Sequence, residues 1–359
     1  MRKTQMALAA VALVASTGVM AQESGVKISG RFDIGYMSGS GSADLNGASA
    51  HGSTDNGTSI ATTTWSRAAN GTLGKALNTG LLAPNFLNFS GSEDLGNGMK
   101  ASFMVSSIIN SAGFNTGSIG TAQSYVGLSG DFGGIKLGQT VDSFWGNGVA
   151  NFDVSGGSNI GSAVSAVFAH NASGVFHDRS IQITAPSMGG INAAATYIVQ
   201  DGSSATGATS TKAGDYSVAG SADIGSIKVG AGYSHRGALN NTSSFLGAGT
   251  DLGFAKVNVL YLSSSDVGTA NLKASTSGVN AEIPVVGALT ARVGYYNTSG
   301  TNTTINGTTT VVTGLYALSP RTTAFANWEQ ASGKVTLGTG NGGYGTAGSI
   351  TTLGVAHSF

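Results

Sequence analysis

The sequence predicts an all-β chain closed into a transmembrane antiparallel β-barrel of about 16 strands. Three observations carry that expectation. Short segments of alternating apolar and polar residues recur along the chain. Their connections switch between tight turns and long polar loops. The chain is poor in charge, yet after residue 21 no apolar stretch is long enough for a membrane helix.

The first 21 residues read as an export signal. Arg2 and Lys3 form its basic start, Met6 to Val14 its apolar run, and Val19-Met20-Ala21 a small-residue cleavage site. Gln22 would then open a barrel domain over 22–359. Val26 to Tyr36 is the clearest strand, with apolar residues on even positions and polar or charged ones on odd positions. One face can meet lipid while the other lines a wet lumen. Similar segments fall near 84–93, 98–107, 121–130, 133–139, 178–186, 190–199 and 214–223. The second half adds 226–235, 244–251, 253–262, 271–280, 287–297, 309–319, 321–331 and 348–359. Tight turns are expected at Gly96-Asn97-Gly98, Asp131-Phe132-Gly133, Pro186 to Gly189 and Ser319-Pro320. Long Ser/Thr/Gly/Asn loops are expected at 38–83, 108–120, 140–177, 200–213, 263–270, 298–308 and 332–347. Turns at one end and loops at the other are what a barrel in an outer membrane requires. The third loop, 140–177, is long enough to fold back and narrow the barrel.

Composition excludes several classes. Seventeen basic residues face 17 acidic ones, which argues against a nucleic-acid partner. There is no cysteine, so disulfides contribute nothing. Charged residues are 9 % of the chain, where a soluble protein carries roughly a quarter. Only a closed barrel satisfies every backbone group in lipid without helices.

Four motifs in order resemble those of the general porins of β-proteobacteria, a family of sixteen-stranded trimeric outer-membrane channels. Gly91-Ser92-Glu93-Asp94-Leu95-Gly96 with Met99-Lys100-Ala101 is similar to the family's GSEDLG…LKA hairpin. Tyr125-Val126-Gly127-Leu128-Ser129, Phe132-Gly133 and Leu137-Gly138-Gln139 resemble its YVGLS…FG…LGRQ stretch. Tyr316 to Thr322 resembles its YxLSKRT turn. Gly354, His357 and Phe359 resemble the terminal signal read by the barrel-assembly machinery. The chain departs at Phe86, Ser90, Ala122 and Gln139, where the family usually carries arginines, and at Pro320 in place of a lysine.

The resemblance implies passive passage of small hydrophilic solutes and ions. It also implies a homotrimer held in outer-membrane lipid and lipopolysaccharide, with no cofactor. The reduced charge predicts weak ion selectivity. A surface or adhesive barrel, a substrate-specific channel and an enzymatic barrel are the alternatives.

Parity puts Arg31 and Asp33 on the lumen face of the first strand, and Lys27 and Lys100 on that of theirs. Such charges set selectivity in a pore, although lipid alone would also force them inward. Asp178-Arg179 opens the strand after the third loop. Arg179 to Gly190 resembles the family's RxxNSxxYxSPxxxG, whose arginine lies on the pore wall. Asp142 and Asp153 are the acids of the third loop; the resemblance has such acids facing basic residues across the pore. Glu93-Asp94 reads as a turn signal, not a catalytic pair. No histidine among His51, His170, His177, His235 and His357 has zinc-helix spacing. Tyr36, Tyr125, Tyr295, Trp328 and Phe359 are candidates for the interfacial aromatic girdles.

Overall fold

A computed structural model describes residues 25–41, 75–110, 113–114, 119–120, 122–154, 175–186, 188–199, 202–203, 210–211, 213–236, 241–267, 272–301, 305–335 and 348–359. The expected export signal and much of the expected loops lie outside the described residues.

Sixteen strands form the wall: β1 (Lys27–Gly41), β2 (Phe86–Gly96), β3 (Met99–Asn110), β4 (Gln123–Gly130), β5 (Gly133–Val141), β6 (Phe176–Thr184), β7 (Ile191–Ile198) and β8 (Tyr216–Ile224). They continue as β9 (Ile227–Arg236), β10 (Asn241–Asp251), β11 (Lys256–Val267), β12 (Leu272–Val286), β13 (Leu289–Gly300), β14 (Ile305–Ser319), β15 (Thr322–Val335) and β16 (Gly348–Ser358). Each pairs antiparallel with the next, and β16 returns to β1 from Arg31↔Ser358 to Gly41↔Gly348. Closure leaves no unpaired edge, which is the condition for crossing lipid as a sheet. Every expected segment overlaps one of these strands.

The alternation sets the two faces. Ile34, Tyr36, Val126, Leu246, Val259, Val293 and Leu353 are exposed on the outer side, while Asp33, Thr196, Ser234, Thr276 and Thr352 are buried on the inner side. Tight turns join β2–β3, β4–β5, β8–β9, β12–β13 and β14–β15 at one rim. In the β2–β3 turn, Gly96, Asn97 and Gly98 all have positive φ, from 53° to 78°. Glycine on both sides of Asn97 lets the chain reverse there at little steric cost.

Several expectations need correction. Residues 38–41 and 75–79, expected inside the first loop, are paired strand: Lys75–Thr79 runs alongside β1 from Ile34↔Thr79 to Ser38↔Lys75. Gly80 to Asn85 then leaves the wall before β2 rejoins β1 at Arg31↔Phe86. β12 extends to Val286 and β14 starts at Ile305, because the ladder continues past the point where apolar alternation fades. The turn reading of Glu93-Asp94 needs none: they end β2 opposite Ala101 and Lys100, and Asp94 Oδ1 accepts from the Gly96 amide at 2.8 Å to shape the turn. Tyr125 does not join an outer girdle. It alternates with outward Val126, and the Lys136 ammonium lies 4.8 Å from its ring centroid.

Candidate functional site

The third loop turns into the barrel immediately after β5. Ser143 Oγ lies 2.7 Å from Thr196 Oγ1 on β7. Phe144–Gly148 winds as a π turn and Val149–Phe152 as a 3₁₀ turn. Phe144, Trp145, Val149 and Phe152 join Phe245, Leu260, Leu262, Tyr296 and Val311 of the inner wall in one buried cluster. Phe144 meets Phe245 edge-on, with centroids 5.5 Å apart. The wall leaves room for this. A Cβ on Gly230 would stand 2.3 Å from a Phe152 ring carbon, and one on Gly247 2.5 Å. Asn280 on β12 fixes the far end: its Nδ2 donates to the Phe152 carbonyl at 2.9 Å, and its Oδ1 accepts from the Val154 amide at 3.1 Å. Residues 142–154 therefore run along the inside of β7–β12 and narrow the lumen from that side.

Asp142 holds the loop's root. Its Oδ1 accepts from the Phe144 amide at 2.6 Å, and its Oδ2 lies 2.7 Å from His177 Nε2. Arg236 pairs with the same Oδ2, and its Nη2 lies 2.8 Å from His177 Nε2. The Asp142 amide donates to the Val175 carbonyl at 2.7 Å, joining the two ends of the loop. Burial works to raise the Asp142 carboxyl; Arg236 and then His177 reverse that and hold it well below the usual carboxylate range.

Asp33 has a comparable role on β1. It is fully buried and accepts from the amides of Leu81 at 2.6 Å and of Leu82 and Ala83 at 3.2 Å. The Asp33 amide donates to Asn85 Oδ1 at 2.8 Å, and Asn85 Nδ2 donates back to its carbonyl at 3.2 Å. Asp33 thus ties Gly80–Asn85 inside the barrel, where its charge is spent on backbone donors.

The remaining inner wall carries charges that keep contact with water. The Arg31 side chain is 30 % exposed and lies 3.9 Å from Asp33. Arg292 and Glu282 are each 24 % exposed and form a 2.8 Å ion pair across β12–β13. Arg31 and Arg292 are near enough for their like charges to interact. Toward the turn rim, Lys228 lies 3.9 Å from Asp223, and Lys100 and Lys256 stand opposite Asp94 and Asp251.

The other expected residues fall as follows. Lys27 is exposed at the turn-side end of β1, opposite Ser90. Asp153 is buried beside the Asn280 clamp. Asp178 and Arg179 sit in a bulge where β6 shifts register against β5, and Arg179 has φ 52°. Their side chains are 3.8 Å apart, with Arg179 46 % exposed. Gly354 faces Phe325, whose ring would lie 2.4 Å from a Cβ there. His357 Nδ1 lies 2.9 Å from Thr322 Oγ1. Phe359 exchanges two 3.0 Å backbone bonds with Gly30, and its ring lies over that glycine.

Sequence reading missed His177, Arg236, Lys136, Glu282 and Arg292 as lumen groups. Strand parity could have found four of them. In β9, outward Tyr233 places Arg236 inward; in β13, outward Val293 and Tyr295 place Arg292 inward. The bulge beside His177 breaks the same count on β6.

Comparison with known proteins agrees with this architecture. The anion-selective porin of Comamonas acidovorans superposes with a TM-score of 0.71 at 22 % identity, covering 94 % of this chain and all of that one. A loop-deletion form of OmpT from Vibrio cholerae superposes at 0.65 with 10 % identity, covering 93 % of this chain and 99 % of its own. Both share the fold. The major outer membrane protein P.IA of Neisseria meningitidis serogroup C is 37 % identical over 60 residues, which is 17 % of this chain and 15 % of that protein. P.IB of Neisseria gonorrhoeae is 50 % identical over 52 residues, 14 % of this chain and 15 % of its own. The matched stretches thus span under a fifth of those relatives. The model of the Gram-negative porins matches residues 7–336. With that match over most of the sequence and a closed sixteen-stranded barrel narrowed from inside, the chain belongs to the Gram-negative porin family.

Proposed function

We propose that the protein is an outer-membrane channel for passive diffusion of small hydrophilic solutes and ions, exported by the segment 1–21 and assembled as a homotrimer. One observation carries the reading. Arg31, Glu282 and Arg292 point inward by strand parity, yet keep 24–30 % of their side-chain surface open to solvent. A dry interior would not hold partly exposed charges; a water-filled lumen does. No catalytic group is needed for this role. A similar Vibrio cholerae barrel exists in a trimer form, which supports the assembly.

Weak ion selectivity follows from pairing. Arg292 is matched by Glu282, Lys228 by Asp223, Lys100 by Asp94, Lys256 by Asp251 and Arg31 by Asp33, while the inward carboxylate of Glu329 offsets Lys136. Arg179, Asp178 and Lys27 tune the field at the two ends of the passage, and Asp153 contributes at the narrowing. Glu93 stays outside it by parity. Phe359, with Gly354 and His357, serves assembly.

The test is conductance of purified protein in a planar bilayer, with the reversal potential read under a salt gradient. Stepwise ohmic currents with a small reversal potential are expected. Stable insertion without conductance would leave the adhesive-barrel reading instead. A strongly anion-selective current, as the name of the Comamonas relative describes, would overturn weak selectivity alone.

A further inference from the structure

The chain that pairs with β1 on its β2 side carries more residues than β1 can match. Thr79 stands opposite Ile34, and Phe86 opposite Arg31. Seven residues of advance on one side meet three on the other, so four are in excess. A bulge facing lipid would leave its backbone groups unsatisfied. This one turns into the lumen, where two side chains serve it. The inward carboxylate of Asp33 accepts from the amides of Leu81, Leu82 and Ala83. The Asn85 side chain exchanges bonds with the Asp33 backbone, in place of a ladder partner. Gly35, two residues along the same inner face, leaves the room that Leu81 fills: a Cβ there would stand 2.8 Å from a Leu81 methyl. Leu81 and Leu82 are buried against the wall, whereas Ala83 and Pro84 keep part of their surface open. Phe86 then meets Phe176, at the return end of the third loop, edge-on with centroids 6.4 Å apart.

We propose that residues 80–85 are a second, size-selecting jaw of the passage, separate from the third loop, and that Asp33 and Asn85 are its positioning residues. The third loop covers the inside of β7–β12, while this bulge covers the inside of β1 and β2. Phe86 and Phe176 join the two elements on one side. The slot left for solutes is displaced toward β13–β15, beside the water-exposed side chains of Arg31, Arg292 and Glu282. Ala83 and Pro84 form the lip of the jaw. Residues 80–85 carry no charge of their own, and Asp33 is turned onto their backbone. The jaw therefore sets the cross-section of what passes and leaves ion preference to the exposed charges. The proposal rests on the channel reading of the same lumen.

The chain has no cysteine, so a single introduced thiol reads the lip directly. Full-length Ala83→Cys is inserted in a planar bilayer, and a bulky uncharged thiosulfonate is added while current is recorded. Conductance before the reagent shows that the variant is folded. A partial, stepwise loss of conductance is expected after it, with the reversal potential unchanged. Ser226→Cys, in the exposed β8–β9 turn, should label without loss. The second variant deletes residues 81–84 and carries Asn85→Leu. Gly80 and residue 85 then fall opposite Asp33 and Phe32, which restores an even register and turns the leucine toward lipid. It should conduct more than wild type and admit larger neutral polymers. An Ala83→Cys channel that resists the reagent, or one that labels without losing current, would overturn the proposal. So would a conducting deletion variant with wild-type conductance and polymer cut-off. If the deletion variant does not fold, the thiol result decides alone. Wild type that inserts without conducting would sink the channel reading and this one with it, whereas conducting wild type with an insensitive lip sinks only the jaw.

Discussion

Arg236, the last residue of β9, closes a buried ion pair with Asp142, the first residue of the third loop. The pair joins a wall strand to the root of the segment that narrows the lumen. Both side chains are nearly inaccessible, 2 % and 0 % exposed, so neither can fall back on water if its partner is removed.

Arg236→Ala should therefore leave Asp142 as an uncompensated buried charge and destabilise the barrel by about 3–5 kcal/mol. Asp142→Asn keeps the Phe144 contact but leaves Arg236 as the uncompensated buried charge, so it should also destabilise the barrel, by a comparable amount. Urea unfolding of folded, detergent-held protein measures both losses. Conductance of surviving channels should rise, because the loop loses its anchor.

Acid should act through the same carboxyl. Asp142 titrates lower in the folded barrel than the ordinary value, which is about 3.9 for an unfolded aspartate. A depressed carboxyl contributes its stability in full above that value and loses it as pH falls below roughly 4 toward the folded pKa. Thermal melts at pH 7 and 5 should agree as far as this group is concerned, and a melt at pH 3 should drop. The drop should be smaller in Asp142→Asn, and equal drops in both proteins would count against the assignment.

Phe152 occupies space that Gly230 and Gly247 leave free. Gly247→Ala puts a methyl 2.5 Å from the Phe152 ring. Overpacking of this kind costs about 1–3 kcal/mol. The expected outcome is a destabilised barrel or a displaced loop with altered single-channel conductance. Gly247→Ala combined with Phe152→Ala should recover part of the loss, because the ring that the methyl strikes is gone.

Selectivity should respond to the exposed inner charges rather than to Asp33. Arg31→Glu and Lys136→Glu should each move the reversal potential toward cations. Arg292→Gln should do so as well, by releasing Glu282 from its 2.8 Å pair. Asp33→Asn should leave the reversal potential nearly unchanged and lower stability instead, since it weakens the three backbone contacts to Leu81, Leu82 and Ala83.

The sequence by itself determined the wall. Period-two alternation puts Ile34 in lipid and Asp33 in the lumen wherever the strand pairs, and the turn-and-loop rhythm gives sixteen strands, so every one of them could be read from residues alone. What becomes of an inward charge was not local information. Asp33 and Arg31 share a face and differ only because Leu81–Ala83, some fifty residues on, turns inward to meet one carboxylate. The tertiary structure also decided the course of the third loop. Its apolar residues carry no strand or helix period, and their partners, Phe245, Tyr296 and Val311, come from strands far along the chain. Asp142 shows the same limit: its sequence marks it only as an acid of the third loop, and only closure of the barrel brings His177 and Arg236 to it. Local alternation fixes which side a residue faces, while long-range contact fixes whether water can still reach it.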